Sequence, residues 1–190
     1  MKKVVVIIAV VVIGAFMISC ATSKAPSARG TVIVGAEGVP QPAWVYQTPT
    51  AADKHFENGY GLLSNQQNSM KRAEAEAKNK IAGWVSTNVE EVVITYLNDA
   101  GSGSDRQALD SMEVISRQVA MATLMGVTTE DHWVDLDGGV WVLSSIPLEN
   151  VQTFFEPASE ALAETFSPSA AADAANAKMK EAFAALLRGK

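Results

Sequence analysis

Residues 70–96 read MKRAEAEAKNKIAGWVSTNVEEVVITY, and this segment lies within the longest predicted helix of the chain. Its apolar residues recur at steps of three and four, which is the spacing of one face of an α-helix. That face consists of Met70, Ala73, Ala77, Ile81, Trp84, Val85, Val89, Val92 and Tyr96. The opposite face is charged and includes Lys71, Arg72, Glu74, Glu76 and Lys78. The pattern predicts a long amphipathic helix with one face in the core.

The residues in and around this helix predict where it begins and ends and how closely it packs. Ser64 or Asn65 can cap its N-terminus, and Gly101 can end it. Three residues of the helix are small, namely Ala73, Ala77 and Gly83. Because they carry little or no side chain, we expect this half of the helix to lie close to a sheet.

Three segments outside this helix have the composition of β-strands. Residues 57–63 read ENGYGLL, and the glycines that flank Tyr60 predict a bulge or a close approach of a helix. A phosphate-binding loop would require Lys-Ser or Lys-Thr after the glycines, and neither follows here. Residues 127–136 and 140–146 flank Asp137-Gly138-Gly139 and predict a β-hairpin.

Further helices follow the same spacing rule. The second is predicted between Asp105 and Gly126, and its apolar face consists of Leu109, Met112, Ile115, Val119, Ala122 and Met125. Residues 148–166 and 170–187 predict two more helices, and the short run Thr31–Val34 could add a first strand. The sequence therefore predicts an α+β fold, in which long helices pack on a small antiparallel sheet and extra helices follow at the C-terminus.

The N-terminus has the pattern of an export signal. Lys2 and Lys3 precede an apolar run, residues 4–18, which ends close to Cys20, the only cysteine of the chain. The run is short for a membrane-spanning helix, which needs about 20 residues. A signal that ends on a lone cysteine resembles the signal of bacterial lipoproteins, in which the cysteine is acylated and becomes the new N-terminus. The alternative is an uncleaved anchor in which Cys20 has no special role.

These observations divide the chain into four parts. Residues 1–19 are predicted to be the signal peptide, and residues 20–39 the lipidated Cys20 and a tether. Residues 40–147 are predicted to form the α+β domain, and residues 148–190 a helical extension. The resemblance to lipoproteins also implies sorting to the outer membrane, because the residue after the cysteine is Ala21 and not Asp.

Charge argues against nucleic acid as a partner. The whole chain of 190 residues has a formal net charge of −6, and removal of Lys2 and Lys3 with the signal leaves −8. An acidic protein neither attracts nucleic acid nor binds anionic lipid heads through a basic patch. We therefore expect acyl chains on Cys20 to provide the membrane attachment, which is marginal with one chain and firm with two.

The residues that could carry chemistry are few and scattered. His55 and His132 are the only histidines, and no zinc set or catalytic triad can be assembled from them. The acidic residues around Asp135 lack the ligand spacing of a calcium loop. We therefore predict no enzymatic activity, no metal and no cofactor. Trp44 is predicted to plug the core or its rim, and Trp44, Tyr60 and Trp141 are the candidate ligand or partner surface.

Several short motifs within residues 42–146 resemble the family of the twenty-kilodalton outer-membrane lipoprotein of gastric bacteria, which includes the flagellar lipoprotein P. They are Pro42-Ala43-Trp44-Val45, Gly59-Tyr60-Gly61, Ala73, Ala77 and Ala82, Ser116, Leu124-Met125-Gly126, Trp133, and Gly139-Val140-Trp141-Val142-Leu143. The resemblance implies an α+β domain, an outer-membrane location and no enzymatic activity.

Two functions are therefore expected. The first is an outer-membrane-anchored lipoprotein with a non-catalytic structural or assembly role in the cell envelope, for which the resemblance suggests the flagellar motor as one setting. Its partners would be copies of itself or other envelope proteins, and it would face the periplasm or the cell surface. The alternative is an envelope lipoprotein that binds a small ligand or a peptide.

Overall fold

The computed structural model describes residues 32–99, 106–166 and 172–189. In chain order its elements are a 3₁₀ turn Ala43–Val45, strand β1 Lys54–Gly61, helix α1 Gln66–Asp99, helix α2 Arg106–Thr123, a 3₁₀ turn Leu124–Gly126, strands β2 Thr128–Val134 and β3 Val140–Pro147, and helices α3 Leu148–Phe166 and α4 Ala172–Gly189. The predicted α+β class with C-terminal helices is confirmed. The predicted signal peptide, Cys20, the first part of the predicted tether and the predicted helix boundaries Gly101 and Asp105 lie outside the described residues.

The three strands form an antiparallel sheet in the order β1-β3-β2. Its register places Gly61 opposite Val140, and Val140 opposite Val134. This row marks one end of the sheet, which we call the tip end, where β1 finishes and the β2–β3 turn lies. The opposite end is marked by Lys54, which pairs with Pro147.

The β2–β3 turn is held by one carboxylate. Oδ1 of Asp135 accepts hydrogen bonds from the backbone N–H groups of Asp137, at 3.0 Å, and Gly139, at 2.7 Å. Gly138 between them has φ of +82°, a conformation that side chains other than glycine rarely adopt. The predicted hairpin is confirmed, and its acidic tip is a turn-forming element.

Helix α1 lies directly on one face of the sheet because β1 carries glycine where the two backbones meet. A Cβ atom at Gly59 would overlap the carbonyl oxygen of Ala73 and come within 2.5 Å of the amide nitrogen of Ala77. Gly61 has the same relation to the carbonyl oxygen of Ser69. The predicted close approach is confirmed. The alternative of a bulge at these glycines is wrong, because the pairing of β1 with β3 is regular.

The start of α1 and most of its buried face agree with the prediction. Asn65 caps the helix, since its Oδ1 accepts a hydrogen bond of 2.9 Å from the N–H of Asn68. The buried residues are Ser69, Ala73, Ala77, Ile81, Val85, Asn88, Val89, Val92, Val93 and Leu97. Trp84 was predicted to lie in the core, but it is only half-buried, and its ring stacks on that of His55 at 3.8 Å. Gly83 faces solvent and plays no part in the close packing.

The apolar face of α2 was predicted correctly only in part, because Val119 is buried and Met112 and Ile115 pack against the core, but Leu109 and Met125 do not. Leu109 is 41% exposed and Met125, beyond the helix, is 80% exposed. The buried residues of α2 are smaller, namely Ala108, Ser116, Val119, Ala120 and Thr123. The physical reason is a close, partly polar contact with α1, in which Ser116 Oγ donates a hydrogen bond of 3.2 Å to Glu90 Oε1.

The main hydrophobic cluster is shared by α1, α2, α3, α4 and the end of β3. Helix α4 enters it through Met179, Phe183 and Leu187, and the ring of Phe183 lies 4.2 Å from that of Phe155 in α3. Helix α4 therefore packs on the domain. No helix within the described ranges is long and apolar enough to cross a membrane.

The N-terminal segment packs on the sheet without joining it as a strand. Val34 makes only an isolated bridge to Pro40, so the predicted first strand is not formed by the described part of that run. The N–H of Ala36 donates to the carbonyl oxygen of Val134 at 3.1 Å. The predicted divisions at residues 40 and 148 remain predictions.

Both edges of the sheet are obstructed. At β1, Lys80 Nζ donates hydrogen bonds to the backbone oxygen of Asn58, at 2.8 Å, and to its side-chain oxygen, at 3.2 Å. At β2, the register shifts between Thr129 and Asp131, which interrupts the regular edge.

Candidate functional site

The face of the sheet opposite α1 carries a cluster of aromatic rings, which we call the aromatic face. It consists of Trp44, Phe56, Tyr60, Trp133 and Trp141. The strand register places Tyr60 opposite Trp141, and Trp141 opposite Trp133, so three aromatic residues form a row across the sheet. The structure thus brings the three predicted surface residues, Trp44, Tyr60 and Trp141, to one face.

Trp44 fills the middle of this face and leaves little of its own ring accessible. The 3₁₀ turn Ala43–Val45 is held over β1 by Asn58 Nδ2, which donates to the carbonyl oxygens of Trp44, at 3.1 Å, and Val45, at 3.0 Å. The indole Nε1 of Trp44 donates to Asp131 Oδ2 at 2.9 Å. Trp44 is 8% exposed, so the prediction that it plugs the core or its rim is confirmed.

Trp133 belongs to the same face, although the sequence did not single it out as part of the surface. It is 3% exposed, and its indole Nε1 donates to the carbonyl oxygen of Val39 at 2.9 Å. Pairing the two strands outward from the turn at Asp135–Gly139 would have placed Trp133 opposite Trp141, and so on the same face. Its burial makes it a support for the face and not a contact residue.

Tyr60 and Trp141 are the accessible part of the aromatic face. Both are half-buried, and their ring centroids lie 4.8 Å apart at 42°. The hydroxyl of Tyr60 donates to Asp135 Oδ2 at 3.0 Å. Burial, and then this hydrogen bond, raise the pKa of Tyr60 above its usual range. Within the described chain, the indole N–H of Trp141 has no hydrogen-bond partner and is not fully buried, so it can donate to a bound molecule.

A polar group at the other end of the sheet ties its outer strands together. Glu130 Oε1 accepts from Lys54 Nζ at 2.8 Å and from Ser145 Oγ at 2.5 Å. The bond to Lys54, and then that to Ser145, lower the pKa of Glu130, while the bond to Glu130 raises the pKa of Lys54. Ser145 is completely buried, so its hydroxyl cannot meet a substrate. The group has a structural role, because it links β1 to β2 across β3.

The remaining acidic and histidine residues are engaged separately. Asp131 holds Trp44, Asp135 holds the turn and Tyr60, and His55 Nε2 lies 3.1 Å from Glu57 Oε1 beneath Trp84. Among the described residues, no three His, Cys, Asp or Glu side chains form a group that could hold a metal ion. The expectations of no metal and no cofactor stay predictions.

Comparison of the chain with protein-family models, with curated proteins and with solved structures gives no match. The resemblance to the twenty-kilodalton lipoprotein family therefore stays a hypothesis that rests on the short motifs within residues 42–146.

The contact between Tyr60 and Asp135 predicts how stability depends on pH. Folding raises the pKa of Tyr60. The protonated phenol therefore stabilises the folded state fully at pH values below the pKa of an unfolded tyrosine, about 10. This stabilisation is lost as pH rises through the pKa that Tyr60 has in the folded state. Tyr60→Phe should cost about 1 kcal/mol at pH 7, through loss of the hydrogen bond. Between pH 8 and 11, its free energy of unfolding should fall less steeply than that of the wild type.

Urea unfolding across this pH range measures the effect. Tyr46→Phe is the matched control, since Tyr46 is 74% exposed, and it should keep the wild-type pH profile. Identical profiles for wild type and Tyr60→Phe would show that the phenol does not titrate in the environment described here.

Proposed function

We propose that this chain is a non-catalytic lipoprotein anchored in the bacterial outer membrane through acyl chains on Cys20, with a structural or assembly role in the cell envelope. The observation that carries the proposal is the N-terminal sequence, in which two lysines and an apolar run lead directly to the only cysteine. The α+β architecture is the one that the family resemblance implied, and it supports the proposal. Association with a flagellar motor is a finer proposal that rests on the resemblance alone.

The environment of the aromatic face favours assembly over binding of a small ligand. A cup for a small molecule would need Trp44, Tyr60 and Trp141 to surround an open space. Instead Trp44 is buried. Its carbonyl oxygen accepts a hydrogen bond from Asn58, and its indole N–H donates one to Asp131, so neither group is left for a ligand. What remains accessible is the shallow pair Tyr60 and Trp141, which suits contact with another protein surface better than enclosure of a small molecule.

Replacement of Cys20 tests the anchor. The Cys20→Ser chain keeps nearly the same size but has no thiol to acylate. We expect it to incorporate no labelled palmitate and to disappear from the outer-membrane fraction. The chain should remain in the inner membrane through residues 4–18, or be released after cleavage by another peptidase.

Ser19→Ala is the matched control. It changes the neighbouring residue to alanine, which is common before the cysteine in lipoprotein signals, so labelling and fractionation should match the wild type. Incorporation of palmitate into Cys20→Ser at the wild-type level would refute the proposed anchor.

A further inference from the structure

An apolar patch lies at the tip end of the sheet. Its five aliphatic side chains, which we call the tip patch, are between 39% and 73% exposed. They are Val34, Val39, Leu62, Leu63 and Leu136. Single exposed apolar residues are common on proteins, but several of them at one end of a small domain mark a contact surface.

The fold brings these residues together from three separate segments. Leu62 and Leu63 follow β1 directly, and Leu136 lies in the β2–β3 turn, so both segments extend past the row that marks the tip end. Because neighbouring strands are about 4.8 Å apart, that row is only about 10 Å wide. Val34 and Val39 flank a turn that contacts the same end of the sheet. There the N–H of Ala36 donates to the carbonyl oxygen of Val134, and Gln66 Nε2 donates to Glu37 Oε1 at 3.4 Å.

The tip patch is also where the path from Cys20 reaches the described domain. Val32 and Ile33, 69% and 45% exposed, lead directly into Val34. Twelve residue steps separate Cys20 from Val32, and the sequence predicts this stretch to be a tether. On the proposed anchor, the first surface of the domain within reach of the lipid is therefore aliphatic.

We propose that the tip patch rests on the lipid surface, so that the domain stands on the membrane with the tip end of its sheet toward the lipid. The inference deepens the proposed function and rests on its acylated Cys20. The aliphatic side chains would enter the boundary between headgroups and acyl chains. Exposed charged residues of both signs lie at this end, namely Glu37, Asp137 in the β2–β3 turn, and Lys71 and Arg72 in the first turns of α1. This mixed charge favours zwitterionic lipid and not a strongly anionic surface.

Lipid quenching of a fluorophore tests the orientation. The full-length, lipidated protein is reconstituted into phosphatidylcholine vesicles that contain a nitroxide-labelled lipid. Leu136→Cys places a bimane dye in the tip patch, and Met125→Cys places one at the opposite end of the sheet, where the native side chain is equally open to solvent. Because the sulfur of Cys20 is a thioether in the lipidated chain, only the introduced cysteine reacts.

We expect the nitroxide lipid to quench the dye at position 136 about twofold or more strongly than the dye at position 125, because apolar side chains at such a boundary sit about 5–10 Å deep. Leu62→Ser with Leu63→Ser should lower quenching at position 136 toward the control value. Both leucines are about half exposed, so the double variant should fold.

Three results would overturn the inference. Equal quenching at both positions, in protein that floats with the vesicles, would refute the orientation and leave the anchor intact. Failure of the wild type to float would refute the anchor, and the orientation with it. A blue shift at position 136 that depends on protein concentration without lipid would assign the tip patch to a second copy of the chain.

Discussion

Gly59→Ala is expected to destabilise the domain by about 3 kcal/mol or more, the upper end of the cost of overpacking a core. The new methyl group would overlap the carbonyl oxygen of Ala73 and crowd the amide nitrogen of Ala77. Both atoms belong to the helix backbone, so no side-chain rotation can relieve the contact, and α1 would have to move off the sheet. A domain of this size is stable by only about 5–15 kcal/mol.

Gly83→Ala is the matched control, since it makes the same chemical change on the exposed side of α1. Apart from the neighbouring residues and backbone of its own helix, no atom lies within 4 Å of the added methyl group. Because alanine is a better helix former than glycine, this variant should be more stable than the wild type by about 0.5–1 kcal/mol. Urea unfolding followed by circular dichroism compares the two variants. If both change stability by the same amount, the helix does not touch β1 as described.

Phe183→Ala is expected to cost about 3–5 kcal/mol, which is typical for loss of a buried phenylalanine. The ring is 1% exposed and lies against Phe155, which is equally buried. Truncation therefore leaves a cavity between α3 and α4 that the neighbouring side chains can fill only in part. The variant should still unfold in a single cooperative transition, with a lower free energy of unfolding, because α4 shares its core with α1.

Lys178→Ala on the same helix serves as the control. Lys178 is exposed, so its replacement should change stability by less than about 0.5 kcal/mol. A loss below about 1 kcal/mol for Phe183→Ala would mean that α4 does not pack on the domain in solution.

The backbone-level features could be predicted from the sequence because they depend on local chemistry. Asn65 was one of two predicted caps, a close approach was one of two predictions for the glycines around Tyr60, and Asp137-Gly138-Gly139 was predicted as a hairpin turn. In each case one residue type is required by geometry, and few alternatives exist. Helix α3 could be placed over the same residues, Leu148–Phe166, since its apolar spacing is strong.

The side of a helix that becomes buried was less predictable. Hydrophobicity favoured Leu109 and Met125 for the buried face, whereas the structure buries Ala108, Ser116 and Thr123. Small and hydroxyl-bearing residues are selected where two helices approach closely and can exchange hydrogen bonds, and a hydropathy pattern cannot register that need. Trp84 shows the same limit, because its large ring fits at the rim beside His55 and not beneath the helix.

The candidate site could be predicted only in part. Its residues could be identified from the sequence as a candidate surface. Which of them are buried and which are accessible depends on tertiary hydrogen bonds. Trp44 is buried because Asp131 and Asn58, distant in sequence, satisfy its indole and its backbone. The sequence predicted Trp44 as a plug, but it also grouped Trp44 with Trp141, whose indole lacks such a partner within the described residues.

The obstructed edges of the sheet have a consequence for crowding. A protein tethered to a bilayer moves in two dimensions, where copies collide more often than they would in free solution. Exposed strand edges would then invite cross-β stacking. A strand that approached β1 would have to displace Lys80 from Asn58, and one that approached β2 would meet the irregular register beside Asp131. On the proposed anchor, we therefore expect copies of this protein to associate through side-chain contacts, which are reversible, and not through pairing of their strand edges.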